Sequence, residues 1–215
     1  MRPNKKNRAK VIGITGAIAS GKSTAALYLK EHYGAARIDA DRVGHEVLEM
    51  PKVVAELTKT FGEGILDQAG KVDRKALGHI VFEDPAMLER LNAITHPVIC
   101  SEIEKRIRRF RFRSGGAPCL MLEAIELLRT PLKDLVDEVW VVWADEEARE
   151  ERIMLRQGLS REEARARIRA QWPQENYIAA ADCLIDGCSG LDNMYRALDE
   201  LMLTRIMRSK ELETE

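Results

Sequence analysis

The stretch Gly16-Ala17-Ile18-Ala19-Ser20-Gly21-Lys22-Ser23, running on into Thr24, spaces two glycines, a lysine and a hydroxyl as a phosphate-binding loop requires. Gly16 and Gly21 let the backbone turn with its amides pointing inward, so that they and the following helix terminus surround phosphate oxygens with donors. Lys22 supplies a point charge for terminal phosphates, and the Ser23 hydroxyl is a ligand for magnesium. The plainer alternative is a glycine-rich turn ahead of a helix. The flanks favour the loop: Val11-Ile12-Gly13-Ile14, within Lys10 to Thr15, is an apolar run suited to a strand buried on both faces, and Ala25 to His32 reads as a helix.

Acids and arginines that suit the same chemistry follow along the chain. Ala35 to Asp41 reads as a short strand ending in Asp39 and Asp41. In a doubly wound sheet ligands lie beyond the carboxyl ends of the strands, which puts both acids beside the loop, and alternation along an extended chain orients them alike. A carboxylate there takes the proton of an attacking hydroxyl or holds a metal-bound water, and one of the pair is expected instead to cap a helix beginning near Arg42. Cys119-Leu120-Met121-Leu122-Glu123 reads as a strand whose terminal acid either supports magnesium through water or merely meets solvent. Arg149, Arg152 and Arg156 recur at spacings of three and four and share one helix face. A second helix, opened by the capping box Ser160-Arg161-Glu162-Glu163, bears Arg165, Arg167 and Arg169. Joined by Gln157-Gly158-Leu159, the two helices read as a lid that closes guanidinium groups over a polyphosphate. Most of these arginines are expected to pair with Glu147, Glu150, Glu151 and Glu162, leaving Arg152 and Arg156 for phosphate.

The elements that must position these groups are an α/β domain: three layers, α/β/α, around a parallel sheet. From Val43 to about Arg113 the pattern turns helical, with Val53, Leu57 and Phe61 recurring every four residues, then Leu77 and Val81, then Leu88 and Leu91. Phe61-Gly62-Glu63-Gly64 ends one helix, Gln68-Ala69-Gly70-Lys71 is a turn, Asp84-Pro85 starts another helix, and His96-Pro97 is expected to precede a further one. This block reads as a helical subdomain inserted between the second and third strands. Ser114-Gly115-Gly116-Ala117-Pro118 is a loop. Glu138 to Trp143 is a strand followed by a helix start at Asp145-Glu146-Glu147, Asp182 to Gly187 is a last strand and turn, and Leu191 to Met207 is an amphipathic helix packing through Leu191, Met194, Leu198, Leu201 and Ile206. The division expected is a basic tail 1–9, a domain 10–207 with core 10–42 and 117–207, insert 43–113 and lid 148–172, and a polar tail 208–215.

At 215 residues the chain is long enough for one large domain with a full core, and a net charge of -1 with 32% charged residues describes a folded soluble protein. No overall basic excess points to nucleic acid. The basic run Lys105 to Arg113, interleaved with Phe110 and Phe112, is better read as a solvated helix end whose cations suit the helix dipole. Cys100, Cys119, Cys183 and Cys188 lack metal-ligand spacing and read as reduced thiols. His32 reads as a surface residue near a helix end, and each of His45, His79 and His96 taken alone reads as structural. The polar start lacks the apolar centre of a secretory signal, and no run approaches the roughly 20 apolar residues of a membrane helix, so a cytoplasmic location without membrane attachment is expected.

Several stretches in order resemble the dephospho-coenzyme A kinase family over Val11 to about Asp186. They are Ile14-Thr15-Gly16 with the phosphate loop, Ile38-Asp39-Ala40-Asp41, Phe61-Gly62, Val72-Asp73-Arg74, Val81-Phe82 with Asp84-Pro85, and Ile94-Thr95-His96-Pro97. Arg152-Ile153-Met154 with Arg156, Leu159-Ser160, Arg167-Ile168 with Gln171, and Ala181-Asp182 with Ile185-Asp186 continue the series. The resemblance implies a P-loop kinase transferring the γ-phosphoryl group of ATP, with Mg2+, to the ribose 3′-hydroxyl of the small-molecule acceptor dephospho-coenzyme A. It implies that residues 16–24 bind ATP, that Asp41 is the base, that Lys22, Arg152 and Arg156 act on the phosphates, and that the helical insert binds the acceptor through Asp39, Arg74 and His96. Ser23 would hold Mg2+, with Glu123 behind a bound water. The chain departs from the family pattern at Ala17 and Ala19, where glycine is frequent, in Ile125-Glu126-Leu127-Leu128-Arg129, at His45, where arginine is usual, and at Tyr177, where lysine is usual. The alternatives are a kinase of the same architecture for another hydroxyl acceptor, such as a nucleoside or nucleotide, and a nucleotide-binding regulatory module without transfer.

Overall fold

The computed structural model describes residues 9–113 and 116–207, with no side-chain description at Phe82 and Arg113. The two tails and the Ser114-Gly115 pair lie outside the described residues, apart from Ala9 at the edge of the first tail. The chain divides into two compact units, one of residues 1–38 and 107–215, the other of Asp39–Arg106.

The first unit is built on β1 (Lys10–Thr15), α1 (Lys22–Tyr33), β2 (Ala36–Asp39), β3 (Cys119–Glu123), β4 (Glu138–Trp143) and β5 (Cys183–Asp186). The five-stranded sheet has the order β2-β3-β1-β4-β5, and β1 runs parallel to both β3 and β4, as β4 does to β5. Residues Val11 to Thr15 and Cys119 to Glu123 are buried throughout, as befits strands covered on both faces. One apolar cluster gathers Ile12, Ile14, Met121, Trp140, Val142 and Ile185 of the sheet with Ala25, Ala26 and Leu29 of α1 and Met194 and Leu198 of the last α-helix. Helices α6 (Glu146–Gln157), α7 (Arg161–Arg169), α8 (Gln174–Ala179) and α9 (Leu191–Leu201) complete it, α9 passing into a π-helical turn, Met202–Met207. Leu191 is exposed rather than packed, because it is the first residue of α9. Tyr177 fills the interior, its ring edge-on to Trp172 at 5.2 Å, and burial pushes its hydroxyl pKa up.

The second unit is helical: α2 (Ala40–Val47), α3 (Pro51–Phe61), a 3-10 turn Glu63–Ile65, α4 (Arg74–Glu83) and most of α5 (Pro85–Arg113). Val43, Val47, Val53, Leu57, Ile65, Leu77, Val81 and Ile103 are its buried apolar side chains among those described, whereas Leu88 is exposed. Two expectations fail here. The strand read through Asp41 stops at Asp39, because the Asp39 carboxylate accepts a hydrogen bond from Arg42 N and so caps α2, which puts Asp41 in the first helical turn. No helix starts after His96-Pro97; Pro97 lies inside the continuous α5. An interior proline costs about 3 kcal/mol, and here burial of Thr95 and Ile103 on either side anchors the helix across it, with Thr95 Oγ1 donating to Leu91 O at 2.8 Å.

Candidate active site

The phosphate loop, between β1 and α1, is shaped by close backbone packing. Gly16 has φ 142°, and a Cβ there would lie 2.1 Å from Val142 O; a Cβ on Gly187, in the turn after β5, would lie 2.1 Å from Ser20 O. Neither position accepts a side chain. Gly21 caps α1 in the left-handed conformation and contributes no side-chain hydrogen bond to the helix terminus, whose amides and dipole favour an anion. Ala19 also adopts the left-handed conformation, with φ 61°, the one non-glycine residue to do so among those described. Such a conformation costs a residue with a Cβ about 1–2 kcal/mol.

Lys22 is buried, and its Nζ donates to Gly16 O at 3.0 Å and Ala17 O at 2.8 Å, which folds the ammonium over the loop. Ser23 Oγ donates to Glu123 Oε1 at 2.5 Å. The other oxygen of Glu123 accepts from Arg37 Nε at 3.1 Å and Nη2 at 2.6 Å. The Ser23 hydroxyl and an oriented carboxylate suit magnesium, which keeps most of its waters and takes substrate phosphates rather than an all-protein cage. No group of three His, Cys, Asp or Glu that could hold a metal ion occurs among the described residues. Arg37 was not singled out in the sequence, since nothing local marks it; only the adjacency of β2 and β3 brings it to Glu123.

A cavity of about 160 Å³ opens beside the loop, lined by Gly21, Thr24, Arg152, Arg156, Gly187, Cys188 and Met194 among others. Arg156 is exposed and also lines a neighbouring cavity with Ser23, Tyr28 and Tyr195. Arg152 donates through Nη1 to Ala19 O at 3.0 Å and Ser20 O at 3.3 Å, and through Nη2 to Gly187 O at 2.6 Å. Burial pushes the Cys188 thiol up, which does not favour it as a nucleophile.

The α6–α7 pair is held by the capping box at Ser160 and Glu163, by a small core of Ile153, Ala164 and Ile168, and by ion pairs of buried Glu150 with Arg165 at 2.7 Å and Arg161 at 3.5 Å. Arg167 donates to Gln157. Arg161, Arg165 and Arg167 are thus engaged within the helix pair, and Arg149, expected on the face of Arg152 and Arg156, is buried. Gln171, just past α7, accepts from Ile18 N at 2.6 Å. The altered segment after β3 is locally satisfied: Arg129 pairs with Glu126 at 3.2 Å, Leu127 is buried, and Ile125 O accepts from Thr15 Oγ1.

In the helical unit a cavity of about 400 Å³ is lined by Asp41, His45, Asn92, Thr95 and His96 with Leu48, Leu91 and Ile99. The structure brings Asp41 and His96 to this one cavity. Asp39 is occupied at the α2 cap, and Arg74, the first residue of α4, is exposed and does not line it. The neighbouring Asp73 caps α4 through Lys75 N and Ala76 N.

A parallel sheet whose first strand feeds a lysine-serine phosphate loop, with paired helices beside that loop, defines a phosphate-loop kinase of the α/β class. A shikimate kinase from Bacteroides thetaiotaomicron shares the fold, with a TM-score of 0.54 at 12% identity, covering 90% of this chain and 97% of its own. The family model described as dephospho-CoA kinase matches residues 10–193, and the chain belongs to that family. A Geobacter sulfurreducens protein named dephospho-CoA kinase is 43% identical over 197 residues, 91% of this chain and 98% of the relative. A crystal structure from Thermus thermophilus aligns with a TM-score of 0.76 at 33% identity, covering 93% of this chain and 99% of that one. The dephospho-CoA kinase from Campylobacter jejuni aligns with a TM-score of 0.66 at 26% identity, covering 93% and 98%.

Proposed function

We propose that this enzyme transfers the γ-phosphoryl group of ATP to the ribose 3′-hydroxyl of dephospho-coenzyme A, giving coenzyme A and ADP. The observation that carries the reading is the family match over residues 10–193 of a chain that retains every group its phosphate loop needs. The loop amides and the α1 terminus hold the nucleotide phosphates, and Lys22 moves from the Gly16 and Ala17 carbonyls to the charge that develops between them. Arg156 meets the same charge from α6. Ser23 and Glu123 would hold Mg2+, which would supply charge neutralisation along the triphosphate when bound. Asp41 takes the hydroxyl proton as the new oxygen–phosphorus bond forms and the bridging β–γ bond breaks, with ADP as the leaving group. His96 orients the acceptor from the same cavity as Asp41, and Arg74 and Asp39, which do not line it, are carried as acceptor-binding residues by the family resemblance alone.

The test is an assay of purified protein with ATP, magnesium and dephospho-coenzyme A. The expected outcome is acceptor-dependent ADP and a product one phosphoryl group heavier, with Lys22→Ala losing on the order of 100- to 1000-fold in turnover. Equal ADP release with nucleosides or nucleotides as acceptor would move the assignment to the sister kinase reading, and none with any acceptor to the binding module.

A further inference from the structure

We propose that Gln171 and Arg152 are positioning residues that hold the phosphate loop in its nucleotide-binding conformation by clamping the left-handed Ala19 from both sides. The inference rests on the reading of residues 16–24 as the ATP loop. Three observations converge on that one short segment. Ala19 has φ 61°, where a glycine would sit without strain. The peptide groups around it are bonded by the helix pair and the segment just beyond it: Ile18 N donates to Gln171 Oε1 at 2.6 Å, and Ala19 O and Ser20 O accept from Arg152 at 3.0 and 3.3 Å. The side chains of Ile18 and Ala19 pack on the small core of Ile153, Ala164 and Ile168.

These contacts have a common consequence. A loop whose amides must converge on an anion binds tightly only if it is already in that shape, since any strain taken up on binding is subtracted from affinity. Glycine at position 19 would reach the left-handed region freely but leave it freely too. Alanine resists the conformation, and the clamp supplies what holds it there. Arg152 also ties the loop to the turn after β5 through Gly187 O at 2.6 Å, so its fork spans two backbone segments that a lysine could not hold together.

The experiment compares Gln171→Met, Arg152→Lys, Ala19→Gly and the two double variants with the wild type. It measures ADP affinity by calorimetry, steady-state constants for ATP and for dephospho-coenzyme A, and thermal midpoints. Gln171→Met should raise the ADP dissociation constant and the ATP KM together by about tenfold, leave kcat and the acceptor KM within about threefold, and Ala19→Gly should restore most of that loss, because glycine removes the strain the clamp opposes. Arg152→Lys should raise the ADP dissociation constant by a similar factor, with the same partial rescue by Ala19→Gly. The proposal is overturned if Gln171→Met leaves ADP affinity within about twofold, if ATP and acceptor constants worsen together with a lowered midpoint, or if Ala19→Gly rescues neither variant. Retention of affinity by Arg152→Lys would place Arg152 on the phosphates as a charge and remove it from the clamp. ADP binding is read without any acceptor, so failure of the acceptor assignment leaves this test intact.

Discussion

The phosphate loop and the Asp41 cavity are built by opposite means. At the loop the working groups are main-chain amides, and their geometry is set by backbone packing at Gly16 and Gly187, by Lys22 on two carbonyls, and by the contacts of Arg152 and Gln171. At the cavity the working groups are side chains on α2 and α5, with Asp41 and His45 exposed and His96 half-buried. At Gly16 and Gly187 the loop tolerates no added atom, because the nearest neighbours of the missing Cβ are themselves backbone. A side-chain pocket tolerates substitution but loses the particular chemistry of each replaced group. The departures from the family pattern divide along this line. Tyr177 is buried packing and Arg129 is locally paired, whereas His45 lines the Asp41 cavity.

The sharpest way to break the contrast is Gly16→Ala. With Val142 O 2.1 Å from the new atom, the loop must move, and the expected outcome is loss of measurable ADP binding in calorimetry together with a lower melting midpoint. Retained ADP affinity would mean that the loop and Val142 yield to the added methyl group at little cost.

Asp41→Asn should separate the two regions by function rather than by fold. Turnover is expected to fall by about 100- to 10,000-fold while the ATP KM stays within about threefold, since the change removes a base from the acceptor side and leaves the loop alone. Turnover within a few-fold of wild type would take the base assignment away from Asp41.

The smallest effect concerns an ion pair of the helical unit. Arg106 beside Glu46 holds that carboxyl below its ordinary value of 4.5, chiefly through the hydrogen bond between them. A lowered folded-state pKa contributes stability that is fully present above the unfolded value and is lost as pH falls through the folded one. Both side chains are partly exposed, so Glu46→Gln should cost under about 1 kcal/mol at neutral pH. The difference in melting midpoint from wild type should shrink as pH falls below 4.5 and vanish once pH is below the lowered folded-state value. A difference that persisted in acid would show packing rather than charge at work.

How much was legible beforehand follows the range of each interaction. The loop, the spans of β1, β3 and β4, the capping box at Ser160 and the helical block between the second and third strands are written in neighbouring residues, through apolar runs, glycine and proline positions and caps a few residues apart. Even locally, competition decided some outcomes. Asp39 and Asp41 are equally acidic, and the helix cap taken by Asp39 left Asp41 on a helix instead of a strand.

What the chain determined by itself was therefore its local grammar: where phosphate would be met by backbone amides, and which acids and arginines were available. Which partners those side chains took was settled only by folding, because each choice joins distant positions: Arg37 with Glu123 across 86 residues, Arg152 with Ala19 across 133, Ile18 with Gln171 across 153. Strand order and the seating of α6 and α7 decide those pairings, and neither is encoded in any single stretch of sequence.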